Sequence, residues 1–390
     1  MEAPDRVERR ARWVLDTLGG RDLALGRDLL YVPEAWESVE RGERPDGDAV
    51  AEAFFHLARV EEIRGARDER NRFPAAASCL DPLDPPLERL RRELGLESPR
   101  YYGGARFAVA LTHDVDNPWR WTRGGIRAAA GRLKRGELRQ AGALARIPIH
   151  RFRGTDPYWR FREVLCEERE HGARGSTFFV MARHEHRADG ASYAGRRQKV
   201  VEEILGAGGE VGLHGSYLAA EDIDKLAAEA REIERLAGQV AGHRYHYLRI
   251  DPHRNLVPLG ALGFRYDTTL GFPDAIGFRA GIAHPFRPWD FERDEPASIV
   301  EVPLAVMDAT LAEARYHGLT AAAAKPQLIA LLDWAAEHGG GFSILWHPDR
   351  FDAPTARGWD KLYFELLDAV RERGGVCVPA GELAASLYDQ

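Results

Sequence analysis

The chain has 390 residues, 44% hydrophobic and 29% charged, with a formal net charge of −7, a composition that fits a globular protein with a sizeable core and excludes a disordered one. The acidic balance argues against a dedicated nucleic-acid binder, and no run of about 18 apolar residues exists for a membrane span. The charged start, Met1 to Arg10, offers no apolar stretch for a secretory signal, so a cytoplasmic location is expected.

Helical spacing of apolar residues comes first over 7–18 and 49–63, with a loop expected between them around Pro33 and Pro45. Pro74, Pro82, Pro85 and Pro86 then interrupt the chain before a short helix over 87–94. Residues 1–100 are therefore expected to form a small, mainly helical N-terminal domain, and 101–390 a second, α/β domain. In the second domain, apolar runs over 107–112, 176–181, 210–214, 239–248, 264–268, 299–306, 342–347 and 376–378 predict strands. Helical patterns over 158–171, 198–207, 223–237, 321–337 and 359–373 alternate with them. Seven or eight short strands separated by helices indicate a parallel sheet, open or closed into a barrel. Cys79, Cys166 and Cys377 are widely spaced with no CxxC pair, so buried, reduced thiols are expected.

Residues 117–153 break this rhythm. Arg120, Arg123, Arg127, Arg132, Lys134, Arg135, Arg139, Arg146, Arg151 and Arg153 stand against the single acid Glu137. Trp119, Trp121, Ile126, Leu133, Leu138, Leu144, Ile147 and Ile149 could line one face of a helix. A basic amphipathic segment suits the anionic inner face of a membrane or an anionic substrate. The plainer alternative is a solvated helix whose apolar stripe packs on the barrel.

Chemistry-bearing residues gather where apolar runs stop: Thr112-His113-Asp114-Val115-Asp116, Leu213-His214-Gly215-Ser216-Tyr217 and Ile344-Leu345-Trp346-His347-Pro348. Side chains two apart in a strand share a face, so Asp114 and Asp116 point one way and His113 the other. Two carboxylates on one face repel each other unless a cation relieves them, one then serving as ligand and the other as base. The same period pairs Arg244 with His246 in His243-Arg244-Tyr245-His246. Asp116, His214 and His246 would make a three-ligand site for a divalent metal, Zn²⁺ first and Co²⁺ or Mn²⁺ as alternatives, with a position left open. His347 is a candidate general acid or base. His113, His184, His186 and His284 stand in reserve as ligands. Arg279, within Gly277-Phe278-Arg279-Ala280-Gly281, is either a substrate contact or a buried arginine paired with Asp274 or Asp290. Tyr217 and Trp119 are the aromatics expected in the cleft, where a sugar ring could stack.

These residues resemble the motifs of the polysaccharide deacetylase family, the NodB-homology or carbohydrate esterase 4 group, over roughly residues 106–379. Thr112-His113-Asp114-Val115-Asp116 is similar to its first motif in a spaced Asp-x-Asp form. His214 matches the second motif, although Leu218 stands where a second histidine is usual. Arg244-Tyr245-His246-Tyr247 resembles the third motif with histidine in place of proline, and Leu345-Trp346-His347 resembles the last. The resemblance implies a distorted (β/α) barrel of about seven parallel strands and removal of an acetyl group from an N-acetylated sugar or glycan precursor. It also implies Asp114 as base, oriented by Arg244, with His347 as acid and His246 replacing the missing ligand. Two alternatives keep the fold: an amidase acting on a non-sugar C–N bond, and a degenerate barrel that binds glycan without cleaving it. A Ser-His-Asp hydrolase built on Ser216 is disfavoured because no G-x-S-x-G elbow occurs.

Overall fold

A computed structural model describes residues 4–136, 138–153, 155–352 and 356–387. Its strands in chain order are β1 (Phe107–Val115), β2 (Thr177–Met181), β3 (Glu210–Gly215), β4 (Gly242–Tyr245), β5 (Tyr266–Asp267), β6 (Trp289–Asp290), β7 (Glu295–Pro296), β8 (Val300–Glu301), β9 (Leu304–Met307), β10 (Gly340–Leu345) and β11 (Val376–Val378). Eight run in the order β8-β5-β4-β3-β2-β1-β10-β9, and β11 adds to β1 as the ninth strand of this sheet. Every pairing in it is parallel, and the sheet curls into a half-barrel. One edge of β1 is shared, because Ala108–Ala110 pair with β11 and Thr112–Val115 with β2. β6 and β7 form a separate antiparallel hairpin.

The alternation along β1 sets the architecture. Phe107, Val109 and Leu111 pack into an outer layer with Leu328, Leu331, Leu362 and Leu366 of the covering helices. Ala108 and Ala110 face the other way, among Phe179, Tyr266 and Val378. Both faces are thus buried, as parallel sheets require. Continued to the end of the strand, this parity sends His113 to the outer layer and Asp114 to the inner side, where β1 stops.

Three expected elements come out differently. The run over 299–306 divides into β8 and β9 around Pro303, which has no N–H to give a ladder. The run over 239–248 yields only Gly242–Tyr245, since Tyr247 and Leu248 turn the chain with φ of 61° and 55°. The loop expected near Pro33 holds a helix, Pro33–Arg41, with proline at its first turn, where a missing N–H costs nothing, and Gly42 closing it in the left-handed region. Cys377 is buried as expected, but Cys79 and Cys166 are exposed; all three are free thiols.

The N-terminal helices are α1 (Asp5–Leu18), α2 (Pro33–Arg41), α3 (Ala49–Leu57) and α4 (Pro86–Glu93). Val14, Leu18 and Phe54 belong to one continuous apolar cluster with Val180, Leu213 and Trp289. Trp13 meets Phe54 edge-on at 5.6 Å, a contact worth about 0.5–1.5 kcal/mol beyond its area. Gly277, at φ +114°, lets the segment after β5 press against this region; a Cβ there would lie 2.3 Å from the Pro82 carbonyl oxygen.

Residues 117–153 fold as three short helices, α5 (Arg123–Lys134), α6 (Arg139–Ala145) and α7 (Ile147–Arg153), which pack principally on one another. The loop is anchored at its roots. Asp156 accepts from the backbone N–H groups of Arg120, Trp121 and Tyr158, and Arg120 pairs with Asp352. Among the described residues no helix is long and apolar enough to cross a membrane.

Candidate metal and catalytic site

The ends of five strands converge on a cleft of about 270 Å³. Asp114 is the penultimate residue of β1 and Asp116 follows the strand; His214 lies in β3, Arg244 in β4, and His246 immediately beyond β4. Asp308 directly follows β9 and His347 stands two residues beyond β10. This is the C-terminal edge of a parallel sheet, where loops from several strands can surround one ligand.

The ligating atoms of Asp116, His214 and His246 all lie within 4.8 Å of one another. Asp116 Oδ1 is 3.1 Å from His214 Nε2 and 3.6 Å from His246 Nε2, close to the edge of roughly 3.3 Å expected between ligands about 2.0–2.1 Å from a tetrahedral metal. Each imidazole is oriented from behind. His214 Nδ1 lies 3.0 Å from the Arg244 carbonyl oxygen and His246 Nδ1 lies 3.1 Å from Asp189 Oδ1. Those acceptors place the proton on Nδ1 and leave both Nε2 lone pairs aimed at Asp116. Asp116 Oδ1 and His214 Nε2 are buried with no hydrogen-bond partner. A cation would satisfy both, so the residues present fit a divalent ion.

The surrounding charges agree with that reading. Burial opposes a charge on His214, yet Asp114 and Asp116 beside it raise its pKa above the ordinary value. Burial would likewise raise Asp116, but His246, His214 and His347 together hold its carboxyl below the usual range. The position is one where positive charge is stabilised.

Two pairs flank this centre. Arg244 Nη1 donates to Asp114 Oδ1 at 3.0 Å and to Thr112 Oγ1 at 2.8 Å, while its Nε donates to the Thr268 carbonyl. On the other side His347 Nδ1 donates to Asp308 Oδ1 at 2.6 Å, leaving Nε2 3.7 Å from Asp116 Oδ2. Asp308 is itself held by Arg350 Nε at 2.8 Å. Burial lowers the His347 pKa, but the carboxylates of Asp308, Asp116 and Asp114 outweigh it and push it up to about 10.

Other expected residues lie elsewhere. Arg279 is no substrate contact: it is fully buried, giving Nε at 2.8 Å and Nη2 at 2.5 Å to Glu62. Neither Asp274 nor Asp290 is its partner; Asp274 instead accepts from the Ala75 N–H. Tyr217 presents no free face for a sugar. His186 stacks on its ring at 4.3 Å and the Arg249 guanidinium sits 3.8 Å from its centroid. Trp119 stacks on Trp159 at 4.7 Å. The aromatics that do line the cleft are Tyr158, Tyr247 and Tyr316.

Among the reserve histidines, His113 is tied to the Trp346 carbonyl and Glu168 in the outer layer. His284 contacts Tyr101, and His186 Nδ1 accepts from the Ala188 N–H. His184 is packed against Tyr193 with neither ring nitrogen bonded, and it is not one of the three convergent ligands.

Residue patterns missed Asp189, Asp308 and Arg72, the last a cleft residue from the N-terminal hundred. Asp308 had a usable signal, since it directly follows an apolar run as Asp114 does. Asp189 and Arg72 lie in irregular segments with no period to betray them. Compared with family profiles and with curated proteins, the sequence matches none.

Proposed function

We propose that this chain is a metal-dependent hydrolase of the polysaccharide deacetylase type, removing an acetyl group from an N-acetylated sugar or glycan precursor. One observation carries the reading: Asp116, His214 and His246 converge, with Asp116 Oδ1 and His214 Nε2 unsatisfied, between an Asp114–Arg244 pair and a His347–Asp308 pair. A divalent ion held by those three ligands, Zn²⁺ first, supplies Lewis acidity towards the acetyl carbonyl and acidifies water.

The chain's own groups account for the protons. Asp114, oriented by the charge-assisted bond from Arg244, accepts a proton from the attacking water. His347, protonated and oriented by Asp308, donates from Nε2 to the departing sugar nitrogen. Water thus adds across the amide C–N bond, and acetate and a free amine leave. Tyr158, Tyr247 and Tyr316 supply apolar faces with polar edges for the sugar around the acetyl group.

Metal analysis joined to acetate release tests this. Wild type supplied with Zn²⁺, Co²⁺ or Mn²⁺ is expected to retain about one ion per chain and to release acetate from N-acetylated amino sugars. His214→Ala should lose both properties, and His347→Ala only the second. A wild type that holds none of the three ions, or a His214→Ala variant that holds them equally well, overturns the proposal. Metal retention with turnover of simple amides alone overturns the sugar assignment.

A further inference from the structure

The cluster α5–α7 carries a surface that the hydrolytic reading does not use. Leu138, Ile149 and Phe152 are 77%, 50% and 93% exposed, against the usual tendency of large apolar side chains to be covered. Arg123, Arg127, Arg132, Arg135, Arg146 and Arg153 are exposed around them, and among the described residues none of the six forms an ion pair. The remainder of this net-acidic chain therefore carries the excess negative charge. The three helices pack principally on one another and leave Leu138, Ile149 and Phe152 uncovered.

We infer that α5–α7 form a docking surface for an anionic lipid bilayer. Aliphatic and phenyl groups among unpaired arginines match a headgroup layer, where the guanidinium groups meet lipid phosphates and the apolar tips enter the acyl boundary. An anionic polymer would engage the arginines but leave Leu138, Ile149 and Phe152 in water, and for that reason the bilayer is the better occupant. The location also has a consequence. The segment leaves the cleft directly after Asn117 and comes back to it at Tyr158, both of which line it. Docking through α5–α7 holds the cleft beside the headgroups, suited to an acetylated sugar carried on a lipid. The docking itself does not depend on hydrolysis.

Co-sedimentation of the full chain with vesicles tests it by binding alone. Wild type is expected to pellet with phosphatidylcholine vesicles containing phosphatidylglycerol at low salt, to stay soluble with pure phosphatidylcholine, and to be released by high salt. Leu138→Ser combined with Phe152→Ser should weaken binding about tenfold, and Arg127→Gln combined with Arg132→Gln roughly fivefold per arginine lost. All four side chains are exposed and lie outside the cleft, and circular dichroism checks the folding of each variant. The inference is overturned if anionic vesicles pellet no protein, if neutral vesicles pellet as much, or if the Leu138/Phe152 variant binds undiminished. Tighter retention by duplex RNA than by anionic vesicles overturns it as well. Failure of acetate release with vesicle binding intact would count against the catalytic proposal alone.

Discussion

Two buried arginine–carboxylate pairs occupy opposite situations in this molecule. Arg279 and Glu62 join the barrel segment after β5 to the N-terminal helices, and the pair is closed. Glu62 also accepts from Arg59 Nε at 2.8 Å, Arg67 lies 3.5 Å away, and Arg279 Nη1 reaches the Gly271 carbonyl. Arg244 and Asp114 sit at the strand ends, and there the accounts stay open: Arg244 Nη2, His214 Nε2 and Asp116 Oδ1 are all without a partner. Burial of charge is common to both places, so burial alone does not mark a functional site. What sets the rim apart from the closed pair is unused polar capacity gathered on three adjoining side chains, two of them among the three groups placed to hold an ion.

The largest expected effect tests the closed pair. Arg279→Ala leaves Glu62 buried beside a lost partner and should destabilise the fold by about 3–5 kcal/mol, read by urea denaturation, with metal retained per folded chain unchanged. A loss below about 1 kcal/mol would mean the pair is no structural clasp. The same pair predicts an acid limb. Burial would raise the Glu62 pKa, but Arg279, Arg59 and Arg67 lower it from 4.5 to about 2. Its contribution is therefore present above pH 4.5 and lost as pH falls toward about 2, an effect of about 3 kcal/mol. Stability measured against pH should flatten over that window in Glu62→Gln; an unchanged profile would locate the acid sensitivity elsewhere. The smallest effect belongs to the open site. Asp189→Asn keeps an acceptor for the Tyr217 N–H but removes the charge behind His246 and the acceptor of the His186 N–H, so metal affinity measured against a competing chelator should fall about 10–100-fold, with stability lowered by only about 1–3 kcal/mol. Equal affinity in both proteins would remove Asp189 from the support of the site.

Much of the rim was readable because it follows a local period. Large residues at 107, 109 and 111 and alanines at 108 and 110 already separate the two faces of β1, so Asp114 shares the inner one and His113 is turned outward. His214, Arg244 and His347 stand at the ends of apolar runs in the same manner. His246 reaches the centre by a different route from the one its spacing suggests. The strand ends at Tyr245, and a turn through Tyr247 and Leu248, both at positive φ, carries the ring to Asp116.

The chain order of residues, by itself, determined the alternation of strand and helix, the inward parity of the first aspartates, and the kinds of side chain that gather at strand ends. Only the tertiary structure decided that Arg279 belongs to Glu62, 217 residues away, that both faces of Tyr217 are covered, and that Asp189 and Asp308 stand behind the site imidazoles. The reason is physical. Backbone geometry repeats every two or 3.6 residues and leaves its imprint on neighbours, whereas the partner of a buried charge is whichever complementary group the completed packing brings within reach.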